Sequence, residues 1–129
     1  MFIDRGMGSR IVPDGLRAAG WDVETMDERY GPEVSKGLSD VRWIAEAATA
    51  GDVILCKDRR VASNPLEAQT IYMHDARVFV LANQNITGPH MLRWLIANED
   101  RIFRWAIRAG PYVVAVHEQR LERLRLNYP

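Results

Sequence analysis

Asp4, Asp40 and Asp58 stand out by position rather than by number. Asp4 follows the apolar pair Phe2-Ile3, Asp58 follows the run from Val53 to Cys56, and Asp40 comes directly after Ser39, a good helix N-cap. Carboxylates gathered within a few ångströms repel one another, and at least one must take up a proton unless a cation neutralises the group. A hard divalent ion such as Mg2+ prefers oxygen ligands and keeps several waters, so two or three aspartates with water and a substrate phosphate suit it. Single aspartates at such places also serve as turn formers or as partners of a helix N-terminus. The chemistry therefore depends on whether the fold brings the three together.

The pattern of elements suggests how it would. Phe2-Ile3 is a very short strand, and Arg10 to Ala19 carries Val12, Leu16 and Ala19 at helical spacing up to a stop at Gly20. Trp21 to Met26 is expected as a second strand, with Asp27 to Pro32 as a polar connection. Ser39 opens a helix with Val41, Ile44, Ala45 and Ala48 on one face. Val53-Ile54-Leu55 reads as a strand buried on both faces, ending before Lys57-Asp58-Arg59-Arg60. Asn64, Pro65 and Glu67 supply an N-cap, a first-turn proline and an acceptor at N3 for a third helix. Arg77 to Ala82 is another buried strand, followed by Asn83. A long helix is expected from Thr87 to Gly110, a strand from Tyr112 to His117, and a short polar tail or helix from about residue 119.

Alternating strands and helices imply one α/β domain with a mostly parallel sheet of roughly five strands and helices on both faces. In such sheets ligands bind beyond the carboxyl ends of the strands. Asp4, Asp58 and Asn83 lie there by simple alternation, as do Asp27 and Glu28, whereas Asp40 joins them only if the loop from Tyr30 to Leu38 stays at that end.

Composition narrows the field further. The 129 residues match one domain; Lys plus Arg and Asp plus Glu each total 17, so overall charge gives no reason to expect a polyanionic partner. Any such reason must come from clustering. Arg5 beside Asp4, and Lys57, Arg59 and Arg60 beside Asp58, form a phosphate-binding footprint or, equally, a solvated loop. The single Cys56 and the absence of a signal-like or membrane-length apolar run lead us to expect a cytoplasmic protein with no membrane role.

Phe2-Ile3-Asp4, Leu38-Ser39-Asp40 and Ile54-Leu55-Cys56-Lys57-Asp58 together resemble the PIN-like domains, in particular toxin ribonucleases of VapC type. The likeness runs over nearly the whole chain in element order and includes the step from Arg17 to Val23. It implies a three-layer α/β/α sandwich and an endoribonuclease dependent on Mg2+ or Mn2+. It also implies that the protein is the toxin half of a toxin–antitoxin pair, with RNA as substrate and an antitoxin protein as partner. Carried over by position, Asp4, Asp40 and Asp58 would be the catalytic metal site, with Asp4 and Asp58 as direct ligands. The family's usual fourth acid appears here as Asn83, which Asp27 or Glu28 could replace if their loop folds inward. That departure supports an alternative in which the chain is a catalytically silent PIN-like module that binds a protein or RNA partner.

The remaining candidates have plainer readings. His74, His90 and His117 have no zinc-ligand spacing, and Cys56 reads as a small buried hydrophobe. Gly6 and Gly8 form a loop whose amides could face a phosphate, and Arg101, Arg104 and Arg108 form a stripe best explained by solvation. Trp43, Trp94 and Trp105 fit core or dimer-interface packing, so a homodimer is compatible with the long helix.

Overall fold

A computed structural model describes residues 1–129. Its strands are β1 (Phe2–Ile3), β2 (Glu24–Thr25), β3 (Val53–Cys56), β4 (Arg77–Leu81), β5 (Tyr112–Val116) and β6 (Leu121–Leu124). They form one sheet in the order β2-β1-β3-β4-β5-β6, parallel throughout except for β6, which runs antiparallel to β5. The helices are α1 (Ile11–Ala18), α2 (Met26–Tyr30), α3 (Pro32–Gly37), α4 (Asp40–Thr49), α5 (Pro65–Met73), α6 (Gly88–Ala97) and α7 (Glu99–Ala106).

Strand residues alternate between two cores. Phe2, Ile54, Val78, Val80 and Val113 face Trp43, Ile44 and Ala47 of α4 and Ile71 of α5. Ile3, Leu55, Phe79, Leu81 and Val114 face Val12 and Leu16 of α1, Met91 and Leu95 of α6 and Ile102 of α7. The result is the three-layer sandwich expected from the alternation of elements. Burying one large side chain such as Phe79 contributes roughly 1.5–3 kcal/mol, so the two layers of apolar contacts dominate stability.

Helix starts follow local chemistry. Ser39 Oγ accepts the Arg42 N–H at the head of α4, and Asn64 Oδ1 accepts the N–H groups of Leu66 and Glu67 at the head of α5. Thr25 and Glu28 form a reciprocal capping box on α2.

Four expectations need correction. The second strand is two residues long, not Trp21 to Met26, because the capping box starts a helix at Met26 where a polar loop was expected. The long helix is two helices, broken at the fully buried Asn98, whose amide donates to the carbonyls of Trp94, His117 and Glu118. The sheet has six strands rather than five. The segment from residue 119 is no tail: Leu121–Leu124 is the sixth strand, and Asn127 beyond it hydrogen-bonds to Ala62 O and Ser63 O at 2.8 Å each.

Candidate functional site

Chain direction across the sheet reverses at β1. The connection from β1 leads to β2 on one side, and the chain then returns to place β3 on the other. The crevice beyond the carboxyl ends of β1 and β3 is thus the switch point at which parallel sheets bind ligands. Asp4 leaves the end of β1 there, its backbone N–H donating to Leu55 O of β3 at 3.0 Å. Asp58 leaves the end of β3 and caps the short 3-10 turn from Arg59 to Ala62.

Asp4 is mostly withdrawn from solvent, and burial pushes its carboxyl up to about 6; the amides of Gly6 and Arg5 oppose that rise and the negative charge of Asp40 adds to it. The turn fits closely around this group. A Cβ at Gly6 would lie 3.0 Å from Asp4 Oδ2, so only glycine leaves the carboxylate its place.

Asp40 reaches the same crevice from the first turn of α4. Trp43, one turn on and 1% exposed, donates its indole N–H to Asp40 Oδ1 at 2.9 Å and so fixes the side chain. Glu67, in the first turn of α5, comes within hydrogen-bonding reach of Asp40. Burial first, then that hydrogen bond and the charges of Asp40 and Asp58, push Glu67 up to about 7. The thiol of Cys56, buried beneath the group, is raised by burial and by the negative field of Asp4, Asp40, Glu67 and Asp58. Four carboxylates therefore act on one small volume.

Asp58 behaves differently. The Arg60 guanidinium grips both its oxygens at 2.5–3.0 Å and holds its carboxyl below the usual range. As arranged, no three of these side chains converge closely enough to enclose an ion. Asp40 is exposed and Glu67 half-buried, so both carboxylates are open to solvent at the crevice. The donors are all carboxylate oxygens whose mutual repulsion is offset only in part by the charges of Arg5 at Asp4 and Arg60 at Glu67, and Asp58 alone is gripped by an arginine. That chemistry fits a hard divalent ion such as Mg2+ or Mn2+.

The other expected residues divide. Glu28 is spent on the α2 cap and on Arg17, 2.6 Å away, and does not enter the crevice. Asp27 keeps one buried oxygen, Oδ1, without a partner and lines a polar cavity of about 240 Å³ with Arg5, Gly8, Ser9 and Thr25. Asn83 turns back to accept the Asn85 N–H at 2.9 Å. Arg5 is exposed at the crevice rim, Lys57 packs beside Gly6, and Arg59 donates to Ala82 O at 3.4 Å. Arg60, expected to bind phosphate, is engaged with Asp58.

Sequence reasoning missed Glu67 as a site residue. Its position at N3 of a capped helix accounts for it fully as a capping acceptor, and nothing local signals the contact with Asp40 across 27 positions, the span from 40 to 67.

Residues 1–83 match a family model described as a PIN like domain. The chain is also 33% identical over 124 residues to "Putative ribonuclease VapC45" of Mycobacterium tuberculosis (strain ATCC 25618 / H37Rv), covering 96% of this chain and 90% of the relative. No solved structure matches it.

Proposed function

The chain belongs to the PIN-like domain family, and from that premise we propose that it is a metal-dependent endoribonuclease, the toxin of a toxin–antitoxin pair. The observation that carries the reading is the gathering of Asp4, Asp40 and Glu67 from three elements at the switch point, with Asp4 and Glu67 both raised toward neutrality. The name of the relative from Mycobacterium tuberculosis supports the same substrate class.

Asp4, Asp40 and Glu67 would hold Mg2+ or Mn2+, with Asp58 joining once it turns from Arg60. A bound ion of this kind supplies an activated water and charge stabilisation at a phosphoryl group. The protein's own contribution is positioning. Trp43 holds Asp40 at the crevice, where its free oxygen can orient a water. Arg5, exposed at the crevice rim, and Lys57, beside Gly6, can neutralise the oxygens of a phosphodiester. Burial and the charges of Asp40 and Asp58 raise Glu67 in the metal-free crevice, so binding a cation there would release its proton.

The test is cleavage of a labelled single-stranded RNA in Mg2+ or Mn2+, with Asp4→Asn and a chelator as controls. Internal cuts that disappear in both controls are expected, with at least about a hundredfold loss for the variant. An unaltered rate in Asp4→Asn would sink the proposal.

A second reading, a silent binding module, draws on Asp58 being held by Arg60 and on Asn83 turning away from the crevice. Titration calorimetry separates the two: no heat with millimolar Mn2+ favours the module.

A further inference from the structure

The segment that follows β5 does more than close the sheet. Along it, outward and inward residues alternate: Arg123, Arg125 and Asn127 are exposed, while Leu124, Leu126 and Tyr128 pack partly inward. Between this segment and the 3-10 turn that Asp58 caps runs a trough of about 410 Å³ lined by Arg59, Arg60, Ser63, Leu124 and Arg125. A second hollow of about 430 Å³ shares Ser63 and Arg125 with it and continues past Asn127 to Tyr128. A third, of about 300 Å³, lies on the other side of the segment and is bounded by Tyr72, Arg123, Arg125 and Tyr128.

Three features give this surface one chemistry. Its walls are fixed, since Asn127 is bonded through both its backbone N–H and its side-chain amide to the turn opposite. Its charge is positive: Arg59, Arg123 and Arg125 are exposed and enter no salt bridge, whereas the exposed Arg60 is paired with Asp58. Its far end carries an aromatic pair, Tyr72 and Tyr128, with ring centroids 5.2 Å apart and Tyr72 47% exposed. Neither ring belongs to either core layer. A basic track ending in an exposed aromatic ring is how proteins hold single-stranded nucleic acid, by phosphate contact along the strand and base stacking at its end.

We propose that the trough from Arg59 and Arg60 past Arg125 to the Tyr72–Tyr128 pair binds the single-stranded RNA that flanks the cleaved bond. The proposal deepens the ribonuclease reading and rests on it for the identity of the strand. RNA leaving the acidic crevice passes Asp58 and enters the trough directly at Arg60, the residue that bonds Asp58. Positive charge is thereby displaced from the cutting site to the path of the flank, which explains how a chain with no net charge can hold a polyanion.

The experiment measures fluorescence anisotropy of labelled oligouridylates of about 4 and about 16 nucleotides, the range of single-strand site sizes, with the full chain in chelator so that the RNA stays intact. Arg125→Gln and Tyr72→Ala are each expected to weaken binding of the longer strand about tenfold, the scale of one phosphate or stacking contact. Arg125→Gln should also lower the salt dependence by about 0.7 in logarithmic slope. The short strand should be unaffected, and Arg125→Lys should restore the long-strand affinity. In Mg2+ or Mn2+ the two variants should raise KM on long RNA and leave kcat unchanged. Equal affinity of the variants and the parent for the longer strand overturns the proposal, including where the same variants weaken an antitoxin complex. Arg125-dependent binding without any hydrolysis in either metal sustains the trough and sinks the ribonuclease reading instead.

Discussion

The short strand β1 has opposite electrostatic regimes near its two ends. Near its start, Arg29 bridges Glu24 and Asp52 at 2.6 and 2.7 Å and lies 4.1 Å over the Phe2 ring, so each acid there has a cation. At its end, Asp4 lies in the negative field of Asp40, and Asp40 meets Glu67, while Arg5 and Arg60 offset the acids only in part. The same chain pairs its acids with a cation in one place and leaves them largely unpaired about two strand residues, roughly 7 Å, further along. Partly buried acids left without a full complement of cations are the pattern of functional sites, and an arginine for each would fill the crevice.

The contrast is open to direct attack. The largest effect is expected from Asp4→Asn in metal-free protein. The folded state holds this proton up to about pH 6, against 3.8 for the ordinary carboxyl, so between those values it binds more protons than the unfolded chain and stability falls as pH rises. Removing the charge should therefore leave stability unchanged below pH 3.8. Above it the variant should gain progressively on the parent, levelling off past about pH 6 at no more than about 3 kcal/mol. Denaturant melts at several pH values give this difference directly; a variant less stable than the parent at pH 7 contradicts the cost of burying the Asp4 charge.

Arg29→Ala should act in the reverse sense. It strips two half-exposed ion pairs and a cation–π contact, at a cost of about 1–2 kcal/mol. Activity per folded molecule should stay the same, as read by comparing melts with the rate under native conditions.

Glu67→Gln should lower Mn2+ affinity roughly tenfold by calorimetry, within the range of groups that support a metal site. If the affinity did not change, Glu67 would belong to the capped helix alone. Gly6→Ala is the mildest: its Cβ would press on Asp4 Oδ2 at 3.0 Å, so activity should drop several-fold while the melting midpoint moves little.

The two ends of β1 also differ in how far the sequence disclosed them. Asp4, Asp40 and Asp58 could be marked because strand ends and helix caps leave local signals, and the structure does place all three around the switch point. What local signals cannot convey is pairing: that Asp58 turns to Arg60, that Glu67 turns to Asp40, and that Glu28 turns to Arg17. Continuous apolar runs disclosed β3, β4 and β5. The sixth strand was hidden because Leu121-Glu122-Arg123-Leu124 puts two adjacent charges between its leucines and so lacks the apolar alternation of a buried strand, which an edge strand can do without. The break at Asn98 coincides with the polar run Asn98-Glu99-Asp100-Arg101, a single turn that a continuous helix also tolerates, and it is the buried Asn98 amide that shows one helix ending and the next beginning.

Phe2 pairs with Glu24 on one side and Ile54 on the other. With only two residues of its own, β1 gains its hold almost entirely from neighbours remote in sequence, and closing such loops is the slow part of folding. Asp4 thus reaches Asp40 only in molecules whose first half has already assembled, and a chain arrested earlier, however compact, carries no acid cluster. Catalytic competence and native topology would then appear in a single kinetic phase.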